Sequence, residues 1–149
     1  LRESEKRLNA TGQRIWVAYL GVRVGEAVAR AGDAVEGLRL MNESLAREDC
    51  REDRAHIAES LRLKGWLLRT MGRTSEAEQA LMASLEVARA QQAKSWELRG
   101  AMELARLLAD RGERTAAREL LAPVYGWFTE GFDTRDLVVA KTLLDSLTP

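Results

Sequence analysis

Residues 54–88 read RAHIAESLRLKGWLLRTMGRTSEAEQALMASLEVA, and this stretch decides the fold. Apolar and small residues fall at helical spacing on both sides of Gly72: Leu61, Gly65 and Leu68 before it, Ala77, Leu81 and Leu85 after it. A glycine between two such stripes marks a chain reversal, because glycine enters the left-handed region without a side-chain penalty. The set returns about forty residues downstream as Ala101, Ala105, Leu108, Gly112, Ala117, Leu121 and Tyr125. It also stands about forty residues upstream as Gly21, Gly25, Val28, Gly32, Gly37, Met41 and Leu45. A fixed period of this size belongs to helix pairs that cannot bury their apolar faces alone and stack on their neighbours.

The expected fold is therefore all-α, an antiparallel helix-pair solenoid. It divides into a tail of a preceding unit over 1–12, repeats over 13–52, 53–93 and 94–132, and a capping helix over 133–149. Gly25, Gly65 and Ala105 let the first helix of each unit approach the second, where Gly37, Ala77 and Ala117 play the same part. Capping signals open the second helices, Asp33 with Glu36 and Ser75 with Glu78; Ser95 and Asp133 are placed as caps further on. Pro123 is expected to kink or break its helix at Ala122, since it removes one hydrogen bond and clashes with the Glu119 carbonyl.

Composition narrows the function. The 23 basic and 23 acidic residues cancel, and acidic residues interleave with basic ones on every helix, which argues against nucleic acid or an anionic membrane as a partner. No apolar run is long enough for a membrane span. Cys50 is the only cysteine, as a reducing cytosol permits, and the start at Leu1 points to a piece of a longer protein. One histidine and one cysteine cannot build a structural zinc site, and the glycines lie at repeat spacing rather than in a phosphate-cradling loop. His56 shares a repeat position with Trp16 and Trp96 and is read as a packing residue. Neither a catalytic residue nor a cofactor or metal site is expected.

The order of small, large, glycine, small and large residues in Leu61, Gly65, Leu68, Gly72, Ala77, Leu81 and Leu85 resembles the tetratricopeptide repeat. Lys64 and Ser84 depart from the family's leucine and alanine, and HEAT-type repeats, which share the longer period, rank second. A further resemblance is carried by residues 92–99, QAKSWELR, and 121–134, LAPVYGWFTEGFDT. These are similar to the C-terminal end of large bacterial signalling proteins, in which a nucleotide-cyclase or winged-helix output domain and an AAA-like ATPase precede helical repeats. The resemblance implies a sensory or scaffolding tail in the bacterial cytoplasm, and it carries over no catalytic residue.

Two function classes follow. In the first, the array is a protein–protein interaction module for a peptide, a partner domain or other domains of its parent chain. Tetratricopeptide arrays read partners on the first helices, and the matching positions here carry Arg23 with Arg30, Arg62 with Arg69, and Arg99 with Arg106. A spacing of seven returns to nearly the same helix face. These arginines, beside an outward Trp66 and Met102, would hold an acidic, partly apolar partner; the competing reading pairs them with Glu26, Glu59, Glu103 and Asp110. In the second class, Tyr125, Trp127, Phe128 and Phe132 hold a small ligand, or else cap the terminal repeat. A homodimer of the fragment through an exposed apolar end is also expected to be possible. Far-UV circular dichroism checks the fold: a helical spectrum is expected, and substantial strand would overturn the repeat reading.

Overall fold

A computed structural model describes residues 17–46 and 56–148. The tail of a preceding unit expected over 1–12, Trp16 at the repeat position shared with His56, and Cys50 lie outside the described residues. Among the described residues the chain is all helical, with seven helices: α1 (Val17–Arg30), α2 (Ala34–Ala46), α3 (Ile57–Thr70), α4 (Thr74–Ala90), α5 (Lys94–Asp110), α6 (Arg114–Gly126) and α7 (Arg135–Ser146).

Gly32, Gly72 and Gly112 make the turns, with φ of +109°, +74° and +83°. A Cβ at any of them would meet nothing within 4 Å, so the need is for backbone freedom and not for space. After each glycine the next N–H reaches back to a carbonyl near the helix end: Asp33 to Val28, Arg73 to Leu68, Glu113 to Leu108. The joint between α4 and α5, expected from sequence only as a break, is the same turn without a glycine. There Ala93 N–H donates to the Ala88 carbonyl at 2.9 Å, and Gln92 takes the left-handed region at φ +54°.

Close approach of the paired helices rests on small residues. A Cβ on Gly25 would lie 2.6 Å from the Gly37 carbonyl oxygen, and one on Gly37 would lie 2.6 Å from that of Gly25. At Gly65 the obstacle is Leu81, whose Cγ would be 2.5 Å away. Ala77, Ala105 and Ala117 are fully buried at the corresponding places. Ser84, fully buried, donates its hydroxyl to the Ala58 carbonyl at 2.6 Å and so ties α4 to the start of α3. These contacts run antiparallel within α1/α2, α3/α4 and α4/α5. The odd-numbered helices meet in series, α1 on α3, α3 on α5 and α5 on α7, and the α3–α5 contacts run in the same sense, as Arg69 with Asp110 shows.

Several local expectations change. Asp33 does cap α2, its Oδ1 accepting from Glu36 N–H at 3.0 Å. Ser75 and Ser95 lie inside α4 and α5, whose caps are Arg73 and Ala93; neither satisfies a helix-end N–H with its side chain. Asp133 is displaced as a cap by Thr134, whose hydroxyl donates instead to the Gly131 carbonyl. Pro123 does not break its helix, which runs on to Gly126. Both Pro123 and Glu119 are exposed, so water can take the carbonyl that the proline leaves without a donor.

The α4–α5 joint is closed by a buried carboxylate. Glu97 accepts from Arg89 Nε at 2.9 Å and from Lys94 Nζ at 2.7 Å. Burial pushes its pKa up, but the bonds from Lys94 and Arg89 outweigh this and hold it below the ordinary carboxylate range. A depressed folded-state pKa gives stability that is present above the unfolded value of about 4.3 and is lost as pH falls through the folded one. Glu97→Gln should therefore lower stability near neutrality and flatten the acid limb of a stability–pH curve. For packing, Gly65→Leu should cost about 1–3 kcal/mol or more by forcing Leu81 aside. Gly126→Ala, in a helix with nothing within 4 Å of the new carbon, should be neutral or slightly stabilising. Gln92→Gly should stabilise by relieving a left-handed strain of about 1 kcal/mol. Thermal melts of the three variants check the order.

Candidate interaction site

The row of odd-numbered helices frames a cleft of about 540 Å³. Arg23 of α1, Glu59 and Arg62 of α3, Arg99, Met102, Glu103 and Arg106 of α5, and Thr134, Arg135, Asp136 and Val139 at α7 line it. The structure thus brings together Arg23, Arg62, Arg99, Met102 and Arg106 of the residues placed on this face from sequence. Arg135, Asp136 and Val139 are additions that the repeat pattern did not signal, because α7 follows the irregular segment after Gly126. Arg30 and Arg69 lie off the cleft.

Alternating charges run across the α3–α5 contact. Arg62 grips Glu59 through two bonds, of 2.6 and 2.7 Å, and stands 3.8 Å from Glu103. Glu103 accepts from Arg106 at 2.8 Å and lies 3.8 Å from Arg69, which in turn binds Asp110 at 2.7 Å. Arg99 joins Glu59, at 3.7 Å, to Asp136, at 2.6 Å. Glu59 is 3% exposed, and a carboxylate so deeply buried is costly unless cations stand beside it, as they do here. Burial works against the Arg62 charge, yet its bonds to Glu59 and the attraction of Glu59, Glu103 and Glu26 hold its pKa above the ordinary guanidinium value. The acidic residues considered as alternative partners of the arginines are thus their actual neighbours, with Asp136 added.

That pairing does not neutralise the cleft. Five arginines (Arg23, Arg62, Arg99, Arg106, Arg135) line it against three carboxylates (Glu59, Glu103, Asp136), with a fourth, Glu26, paired to Arg23 at 2.6 Å just behind the lining. The Arg135 side chain makes no ion pair or hydrogen bond among the described residues.

Two anchors expected to face solvent do not. Met102 is only 5% exposed, and Trp66 is half-buried with Arg30 stacked 4.5 Å from its ring. The reason is lateral packing: each odd-numbered helix has another odd-numbered helix beside it, so positions expected to face a groove are partly spent on helix contacts. Val22, Glu26, Leu63 and Glu103 are buried on the same account. Met102 therefore forms apolar wall instead of a protruding hook.

The aromatic residues at the end of α6 form two ring pairs. Tyr125 lies 5.9 Å from Phe132, and Trp127 meets Phe128 edge-on at 5.2 Å. Tyr125 and Phe128 pack against the core, while Trp127 is 57% exposed with Lys94 Nζ 5.5 Å from its ring. None of the four lines the cleft described above. On the opposite side, a second groove of about 660 Å³ lies over α5 between α4 and α6, with Met82, Leu85, Leu104 and Leu120 in its walls.

His56 stacks on Tyr19 at 4.5 Å between ring centres, where α1 meets α3. Among the described residues no three His, Cys, Asp or Glu side chains converge as a metal ion would require, and no helix is long and apolar enough to cross a membrane. No family model matches the chain, and no curated protein matches it in sequence.

Removing one partner from the buried pairing should be destabilising. Glu59→Gln strips Arg62 and Arg99 of a shared carboxylate, and with Glu103 still beside Arg62 the loss should be about 2–3 kcal/mol. Glu43→Gln, which breaks a solvent-exposed pair with Arg39, should leave a urea unfolding curve unmoved.

Proposed function

We propose that the chain is a non-catalytic interaction module, a tetratricopeptide-like array of helix pairs with a period of about forty residues. Its cleft takes an acidic, partly apolar segment of a protein partner or of another domain of its parent chain. One observation carries this reading: successive odd-numbered helices contribute arginines to a single cleft whose cations outnumber its carboxylates. A guanidinium fork receives a carboxylate through two parallel bonds, and Met102 and Val139 supply apolar wall for the stem of the incoming side chain. The likeness of residues 121–134 to the ends of bacterial signalling ATPases supports placing the module as a regulatory tail of such a protein, in the bacterial cytoplasm. In that setting the partner is a protein or a domain of the same chain; neither nucleic acid nor a membrane surface suits a chain whose total charge is zero.

The test is fluorescence anisotropy with a labelled peptide of alternating glutamate and leucine. Binding is expected to weaken as salt rises, because the site is open to solvent. Replacing Arg23 and Arg106 by alanine, two arginines at the cleft with substantial exposure, should weaken it about tenfold or more while the melt stays cooperative. Equal binding by this folded double variant would remove the cleft from consideration.

A further inference from the structure

α7 brings to the cleft a carboxylate that the repeat-spaced helices do not supply. Asp136 Oδ2 accepts from Arg99 Nε at 2.6 Å, and Glu59 Oε1 stands 3.7 Å from Nη1 of the same guanidinium. The Trp96 ring centre lies 5.1 Å from the guanidinium carbon. Arg99 is thus held on several sides before any partner arrives. The Arg99 and Asp136 side chains are 37% and 32% exposed, so a solute can reach the pair. Asp136 makes only the one hydrogen bond to this guanidinium, where a well-placed carboxylate makes two.

α7 does not depend on this bond to stay in place. Leu137, Ala140 and Leu144 are buried against the core, and at its far end Arg118 donates to the Leu144 carbonyl at 3.1 Å while Arg114 donates to that of Ser146. Asp136 can therefore leave Arg99 for water without undocking the helix. Arg135, its neighbour in the chain, lines the same cleft without an ion pair among the described residues.

We infer that Asp136 is an internal stand-in for the partner's carboxylate. It occupies the Nε edge of Arg99 in the free protein, and an acidic side chain of the bound segment replaces it there, seated between Arg99 and Arg135. The inference rests on the reading of the cleft as a site for acidic segments. Its consequence is selectivity: a single weak carboxylate gains little by exchanging with Asp136, whereas a segment with several carboxylates also gains Arg135 and the remaining cleft arginines.

The experiment measures anisotropy of fluorescein-labelled hexaglutamate on the wild-type chain, Asp136→Asn, Arg99→Ala and the double variant. Asp136→Asn should tighten binding about tenfold, and the gain should vanish in the Arg99→Ala background, because the stand-in competes only for Arg99. An equal gain in both backgrounds would show a general charge effect and overturn the inference. No gain in either would also overturn it, while binding that still depends on Arg23 and Arg106 would leave the cleft reading standing. Absence of binding by all four proteins removes both together. Should Asp136→Asn not fold, Arg135→Ala in the wild-type background serves: weakening of about threefold or more supports the inference, and unchanged affinity overturns it.

Discussion

Everything in this molecule depends on how closely two helices of a pair can approach. At Gly25 and Gly37 the two backbones touch with no side chain between them, and at Gly65 the space of one methyl group is filled by Leu81. Such contact requires the two helices to meet in register, and the left-handed residue at Gly32 and Gly72 sets that register within three residues of the helix end. Tight pairs then present flat sides to one another. This is why the odd-numbered helices lie side by side, and why a cleft across their outer face is lined from four different helices.

The parts legible in the sequence were those that one residue type must satisfy alone. A positive φ writes glycine at Gly32, Gly72 and Gly112, and tight packing against the paired helix writes a small residue at Gly65 and Ala105. Gln92 carries no such mark in the sequence, because a left-handed glutamine is strained but not forbidden. Ser75 and Ser95, unlike Asp33, do not cap their helices, for a geometric reason. Each turn makes the residue just after its left-handed position the first to accept a helical bond, so Arg73, Ala93 and Glu113 become caps whatever their side chains. Ser75 and Ser95 come two residues too late to serve.

The site was legible as a helix face and illegible as a surface. Arginine spacing placed Arg62, Arg99 and Arg106 on one side of their helices, and the structure sets them in one cleft. Periodicity carries no information about how near the next helix lies, and that distance decides that Met102 is covered and that Trp66 sits beneath Arg30. Asp136 was out of reach for a similar reason: its partner Arg99 is 37 residues away, on the far side of a segment that breaks the period.

The buried pairing of Glu59, Arg62 and Glu103 is better understood as a device for register than as a source of stability. Well-packed apolar residues of similar volume can do as well or better energetically, because two charges must first be taken out of water. Yet an apolar contact between α3 and α5 would tolerate a slip along the helix axes, whereas the crossing approaches of Glu59 to Arg99 and of Arg62 to Glu103 would not. The same pairing orders the arginines that face the cleft. A guanidinium already fixed by one carboxylate loses less freedom when it meets another, so the conformational part of binding is met in folding. For the acidic segment proposed here, what remains is charge, and with cations in excess over carboxylates that charge bears on the speed of encounter more than on the final affinity.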